Sequence, residues 1–118
     1  MSKLHEFHTK VTGVTFDDPH SGLNRQEIIA AHVRPGMRVH LRPEPDNPVD
    51  ALAVGVWVSV GGLLRRRDYQ IGYLFQERAR EVRALLQDGH GVDAKVTDVT
   101  GGTRDKPTYG VNLVIRWM

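Results

Sequence analysis

Apolar residues along this chain recur mostly with period two, the spacing that puts alternate side chains on one face of a strand. Met37 to Leu41 reads M-R-V-H-L, with Met37, Val39 and Leu41 on one face and Arg38 and His40 on the other. Leu52 to Val60 (L-A-V-G-V-W-V-S-V) has the same character, and Tyr69 to Leu74 is a further short strand. Residues 7–16, F-H-T-K-V-T-G-V-T-F, are rich in β-branched and aromatic types and predict a first strand. Val92, Ala94, Val96 and Val99 predict a fifth, and Val111, Leu113, Ile115 and Trp117 alternate to the end. The last two form a closing hairpin around a loop over 100–108.

Two segments depart from that period. Asn24 is placed to cap a short helix over 24–33, and Glu27 three residues on completes a capping-box pattern. Leu23 and Ile28 sit at staple positions, and Pro35-Gly36 ends the helix near Val33 or Arg34. Over 75–88, Ala79, Val82 and Leu86 share a stripe that Leu85 widens, while Arg78, Glu81 and Gln87 face away. Gly89 falls at the C′ position of that second helix.

Six short strands with two helices predict a mainly β fold, a six-stranded modified barrel of OB or SH3-like kind. A doubly wound sheet fits poorly, because most connections are too short for a parallel crossover. One domain over 1–118, with its core at about 7–117, accommodates all the elements.

Between the second and third strands lies Glu44-Pro45-Asp46-Asn47-Pro48-Val49-Asp50. Its prolines fix φ near −65° and bias Glu44 and Asn47 toward extended geometry. Asp46, Asn47 and Asp50 are short, so they act where the backbone holds them, which suits a pre-formed site. An ordinary stiff turn, with Asp46 and Asn47 bonding their own backbone, accounts for the same residues.

Composition adds limits. The chain has 118 residues, 40% hydrophobic and 25% charged, and no cysteine. Disulfides, thiolate catalysis and cysteine-ligated zinc are excluded. No apolar run approaches the ~20 residues of a membrane span, and the start lacks a signal-peptide stretch. The expectation is a soluble, cytoplasmic protein. Net charge is +2, but twelve Arg stand against four Lys, a lean toward phosphate and base contact. Arg65-Arg66-Arg67 form a block after Leu63-Leu64, inside a basic excursion over 63–68 longer than a tight hairpin requires.

Candidate chemistry is sparse. His5-Glu6-Phe7-His8 lacks H-E-x-x-H spacing, and Glu44, Asp46 and Asp50 lack the glycine and distal Glu of a calcium loop. Gly101-Gly102 is not followed by the Lys-Ser or Lys-Thr of a phosphate loop. No nucleophile is paired with a base. The expectation is a protein that is not an enzyme and uses no metal or cofactor.

The ordered motifs Gly13-Val14-Thr15-Phe16, Gly36 before Val39 to Leu41, Glu44 to Asp50, Ala53-Val54 and Gly72-Tyr73-Leu74 resemble the HIRAN domain family over about residues 7 to 117. Thr100-Gly101-Gly102 followed by Gly110-Val111-Asn112 resembles its stand-alone bacterial forms. The resemblance implies a modified OB-type barrel that binds single-stranded DNA and captures a free 3′ end. It also implies service to a helicase or nuclease partner in repair or replication-fork remodelling. By position Asn47 and Asp50 are the loop's Asn and Asp, the latter contacting the terminal 3′-hydroxyl. A carboxylate accepts that proton in a charge-assisted bond and repels the phosphate of an uninterrupted strand.

This sequence departs from the family pattern in several places. Val49 stands where a stacking Tyr belongs, Thr9-Lys10 replace an Arg-Tyr pair, and Pro43 replaces an Arg beside Arg42. Tyr73 stands where end-binding relatives carry His, and Trp57 or Trp117 would add aromatic surface if exposed. At ~1–3 kcal/mol per stacked base, two lost platforms imply weak, salt-sensitive binding. The nucleic-acid-binding set is thus Asn47, Asp50, Tyr73, Lys10, Arg42, Arg65, Arg66 and Arg67.

Each assignment has an alternative. Asp50 also reads as a cap for the loop's amides, Asn47 as a brace, Tyr73 as a partly buried barrel residue, and Arg65 to Arg67 as a solvated tip. Read that way, the chain is a protein–protein interaction domain that keeps the barrel without the DNA site.

Overall fold

The computed structural model describes residues 4–118. Six strands, β1 (His5–Thr12), β2 (Arg38–Pro43), β3 (Val54–Gly61), β4 (Arg66–Leu74), β5 (Val92–Thr100) and β6 (Gly110–Trp117), close into a barrel in the order β1-β4-β3-β2-β5-β6. All pairings are antiparallel. Two helices complete it: α1 (Arg25–His32) packs on β4, and α2 (Gln76–Gln87) lies against β5. The mainly β barrel expected from the period-two pattern is the observed fold.

The barrel is two three-stranded meanders joined by short seams. β2-β3-β4 and β5-β6-β1 have long ladders, whereas the β1/β4 seam pairs only Val11 with Leu74 and Thr12 with Tyr73. The β2/β5 seam pairs only Arg38 with Lys95 and Val39 with Ala94. Closure gives every strand a neighbour on both sides, although beyond these few pairs the seam-facing edges of β1, β4, β2 and β5 stay unpaired. Val54, Val56 and Val58 point inward, meeting Ile28 and Ile29 of α1, Val82 of α2, and Leu113 and Ile115 of β6.

Several boundaries move. The first strand ends at Thr12, because Gly13 takes φ 72° and Phe16 N–H bonds to Gly13 O at 3.2 Å, closing a turn. The third begins at Val54 rather than Leu52, since Leu52 N–H and Ala53 N–H both turn back to Asp50. The basic excursion is shorter than expected. Val60 pairs with Arg67 and Gly61 with Arg66, so only 62–65 form the tip.

Asn24 does cap α1, but its side chain accepts from Gln26 N–H at 2.9 Å instead of from Glu27. The end of α2 matches expectation: Gly89 N–H bonds Leu86 O and His90 N–H bonds Leu85 O, a Schellman arrangement.

Candidate nucleic-acid interface

The proline loop is held from beneath by a buried polar network. Glu44 N–H bonds Ala53 O at 2.9 Å and closes the loop. Glu44 Oε1 accepts from Asn47 Nδ2 at 3.2 Å and from the Tyr73 hydroxyl at 3.0 Å, while Oε2 accepts from Gln70 Nε2 at 2.7 Å. Gln70 is wholly buried, and its Oε1 accepts from Arg25 Nη2 at 2.6 Å. Only this amide orientation works, since the reverse sets NH₂ against guanidinium and C=O against carboxylate. Arg25 Nη1 donates to Gly13 O, and buried Asp18 accepts from Gln70 N–H. Arg25 Nε is buried without a partner among the described residues, but the paired groups around it, in a low-dielectric setting, fix one geometry.

Within the loop, Asn47 Oδ1 accepts from Val49 N–H and Asp50 N–H at 2.9 and 3.0 Å. Asn47 is therefore the brace of the loop. Asp50 accepts from Leu52 N–H through Oδ1 at 2.9 Å, and its Oδ2 has no hydrogen-bond partner among the described residues. The capping role and an open acceptor coexist on one carboxylate.

That carboxylate faces a cleft of about 620 Å³ over the β1/β4 seam. Thr12, Gly13 and Phe16 line one part, Asn47, Val49 and Asp50 another, and Tyr73 joins them to Phe75 at the start of α2. Phe16 is 68% exposed, Phe75 47% and Val49 92%, an apolar cluster of the kind that marks a binding surface. Arg25 is the one cation among the lining residues, and it is largely buried. Burial raises the pKa of Tyr73, so its phenol stays protonated and keeps donating to Glu44.

A second cleft, about 700 Å³, lies across the loop and shares Asn47, Val49 and Tyr73 with the first. His20, Arg42 and Trp57 line it. The Arg42 guanidinium sits 4.6 Å from the centre of the Trp57 ring and pairs with Asp68 at 2.8 Å. Bonds from Ser59 and from Arg42 hold the Asp68 carboxyl below its ordinary range.

Of the residues singled out from sequence, Asn47, Asp50 and Tyr73 meet at the first cleft and Arg42 lies beside it in the second. Lys10 does not join them. It lies one outward position up β1 from Thr12, in a hollow with His8, Asp98 and Asn112. Arg66 and Arg67 are at the far end of the β3–β4 ladder from Gly55 and Tyr73, and Arg65 lies on the tip beyond it. Trp117 packs on His5 and Phe7, away from the loop. Phe16 and Phe75 also line the first cleft, although in the sequence each reads as part of a regular element. The usable signal was an aromatic beside a turn-forming Gly and at a helix start.

A small closed β-barrel with a braced rim loop is thereby defined. The HIRAN domain family model matches residues 5–117, and the chain belongs to that family. Among solved structures, it is similar to the HIRAN domain of human HLTF, with TM-score 0.61 at 18% identity over 95% of this chain and 74% of that one. A protein from Lactobacillus plantarum is similar too, with TM-score 0.59 at 21% identity over 98% of this chain and 100% of that one. No curated protein matches significantly. Among the described residues no helix is long and apolar enough to cross a membrane.

Proposed function

We propose that this HIRAN domain is a non-catalytic module that binds single-stranded DNA by its 3′ end in the cleft beside the proline loop. The observation that carries the reading is the Asp50 carboxylate, with one oxygen unpartnered and two exposed aromatics, Phe16 and Phe75, lining the same cleft. The terminal 3′-hydroxyl donates to Asp50 Oδ2. Phe16 and Phe75 offer the stacking surface that Val49 and Lys10 do not, so end capture survives the departures from the family pattern. Stacking on phenyl faces tolerates every base, which suits an end-binder indifferent to sequence. Few cations line the cleft, so affinity is modest and rests on the end. In the cell the module serves a repair or fork-remodelling helicase or nuclease that needs a free 3′ end.

Fluorescence anisotropy with labelled oligonucleotides, at two salt concentrations, tests this. The free 3′-hydroxyl form should bind at least about tenfold tighter than its 3′-phosphate counterpart, the scale of one hydrogen bond to a charged group. Asp50→Ala should remove that preference. Equal affinity for both ends with a steep salt slope would leave only phosphate contacts and sink the end reading.

The protein-interaction alternative rests on Leu63 and Leu64, fully exposed at the β3–β4 tip. It gains ground only if replacing them removes a defined partner while DNA binding is absent.

A further inference from the structure

The outer face of β2-β3-β4 carries a row of side chains that the end cleft does not use. Register places His40 beside Trp57, Arg42 beside Gly55, Ser59 beside Asp68 and Gly61 beside Arg66. Arg38, paired with Asp93 across the β2/β5 seam, extends the row on one side, and Arg66 ends it near the hairpin tip.

Trp57 is the centre of this row. Its only polar side-chain atom, Nε1, is buried without a hydrogen-bond partner among the described residues, tucked over Gly55 next to the Glu44–Gln70 contact. What the half-buried side chain shows to solvent is therefore ring carbon alone. Arg42 lies over the ring, and the His20 imidazole is 4.8 Å away with a 45° tilt. Asp68 holds the Arg42 guanidinium, and the His20 backbone N–H donates to Asp18 Oδ1 at 3.0 Å, which fixes the turn that carries the imidazole. Guanidinium, indole and imidazole grouped around one open cleft make a stacking platform for a planar ring. Because that cleft shares Asn47, Val49 and Tyr73 with the end cleft, a strand anchored at Asp50 continues into it without leaving the surface.

We propose that Trp57, with His20 and Arg42, is a second binding site for DNA, stacking a base upstream of the captured 3′ end and passing the strand toward Arg66. This extends the end-binding reading and rests on it for the strand's direction. The path along β3 from Gly55 to Gly61 spans ~20 Å, which gives a site of ~4–6 nucleotides, within the range for OB-type barrels. Arg38 and Arg66 supply charge for phosphates along it, while Asp68 and Asp93 hold Arg42 and Arg38 in place. Protein partners fit this face less well, since a row of arginines around one sequence-indifferent aromatic complements a phosphate chain.

Anisotropy on the full chain, with thymidine dinucleotides and octanucleotides bearing a 3′-hydroxyl, distinguishes the outcomes. The octamer should bind at least about tenfold tighter than the dimer, the increment one stacked base supplies. Trp57→Ala should abolish that length advantage but keep dimer affinity and the preference for hydroxyl over phosphate. Trp57→Phe should restore much of it. Should Trp57→Ala fail to fold, the Trp117→Phe protein reports instead, its remaining indole emission changing with the octamer and not with the dimer. An octamer bound no tighter than the dimer, a Trp57→Ala protein that keeps the advantage, or unchanged emission would each overturn the proposal while leaving end capture intact. If Asp50→Ala and the 3′-phosphate change nothing but Trp57 still matters, the end reading fails and the stacking site stands.

Discussion

At the scale of single residues, Gln70 has the most to hold. Its amide joins the Arg25 guanidinium to the Glu44 carboxylate, and no solvent reaches it to replace either bond. Truncation to Ala leaves two charged groups short of a partner in a site that is almost dry. At ~1–3 kcal/mol for each unsatisfied buried group, Gln70→Ala should cost about 3 kcal/mol, a large part of the stability of a domain this size. Chemical denaturation would measure that loss directly. An effect below about 0.5 kcal/mol, the level of an ordinary surface change, would mean that the network does not brace the barrel. Glu44→Gln should be milder, since the amide oxygen still accepts from Gln70 or Tyr73. The sequence marks none of this, because Arg25, Glu44 and Gln70 are 19 to 45 positions apart and share no local pattern.

At the scale of elements, the Gly72-Tyr73-Leu74 segment shows why a motif can be legible while its reason is not. A Cβ on Gly72 would lie 2.1 Å from Thr12 O and 2.6 Å from Val11 Cγ1, so β4 approaches β1 only because that position is bare. The carbonyl cannot move aside without breaking the β1/β4 seam. Gly72→Ala should therefore destabilise the fold by ~1–3 kcal/mol or more, and should weaken DNA binding too, since Tyr73 and Thr12 line the end cleft. Thermal melting and anisotropy on the same sample would check both; a stable variant with unchanged affinity would contradict the close approach. The strands themselves were legible, because one face of each is apolar and period two is hard to mistake. Their ends were not. The β-branched run through Phe16 looks like strand, yet the positive φ of Gly13 ends it four residues early. Arg66 to Asp68 look like loop because they are charged, yet Arg66 and Asp68 face outward on the ladder opposite Gly61 and Ser59, with Arg67 on the other face beside Val60. The ordered family motifs, more than the loop's own composition, point to Asn47 and Asp50 as candidates; that Phe16 and Phe75 line the same cleft depends on how the chain closes.

At the scale of the whole molecule, the candidate site sits on the barrel's weaker join. The long ladders within each meander share many bonds, but the β1/β4 seam has two register pairs and a side-chain bond from Thr12 Oγ1 to Tyr73 O at 3.1 Å. Local opening follows the least supported contacts, so this seam should part before either meander does. Native-state hydrogen exchange should find the amides of Val11, Thr12 and Leu74 less protected than those of Val56 to Val60 or Leu113 to Ile115. A ligand lodged between Thr12, Phe16 and Tyr73 on one side and Asp50 on the other spans that join. On the proposed function it binds the closed barrel and not the opened one, so saturation with a 3′-hydroxyl oligonucleotide at 100-fold over its Kd should raise the free energy of opening by ~2.7 kcal/mol. The 3′-phosphate form at the same concentration should protect these amides less. If instead protection rises evenly over the barrel, or the seam exchanges as slowly as the ladders without DNA, then the site lies on a rigid wall, and the coupling between closure and end capture is absent.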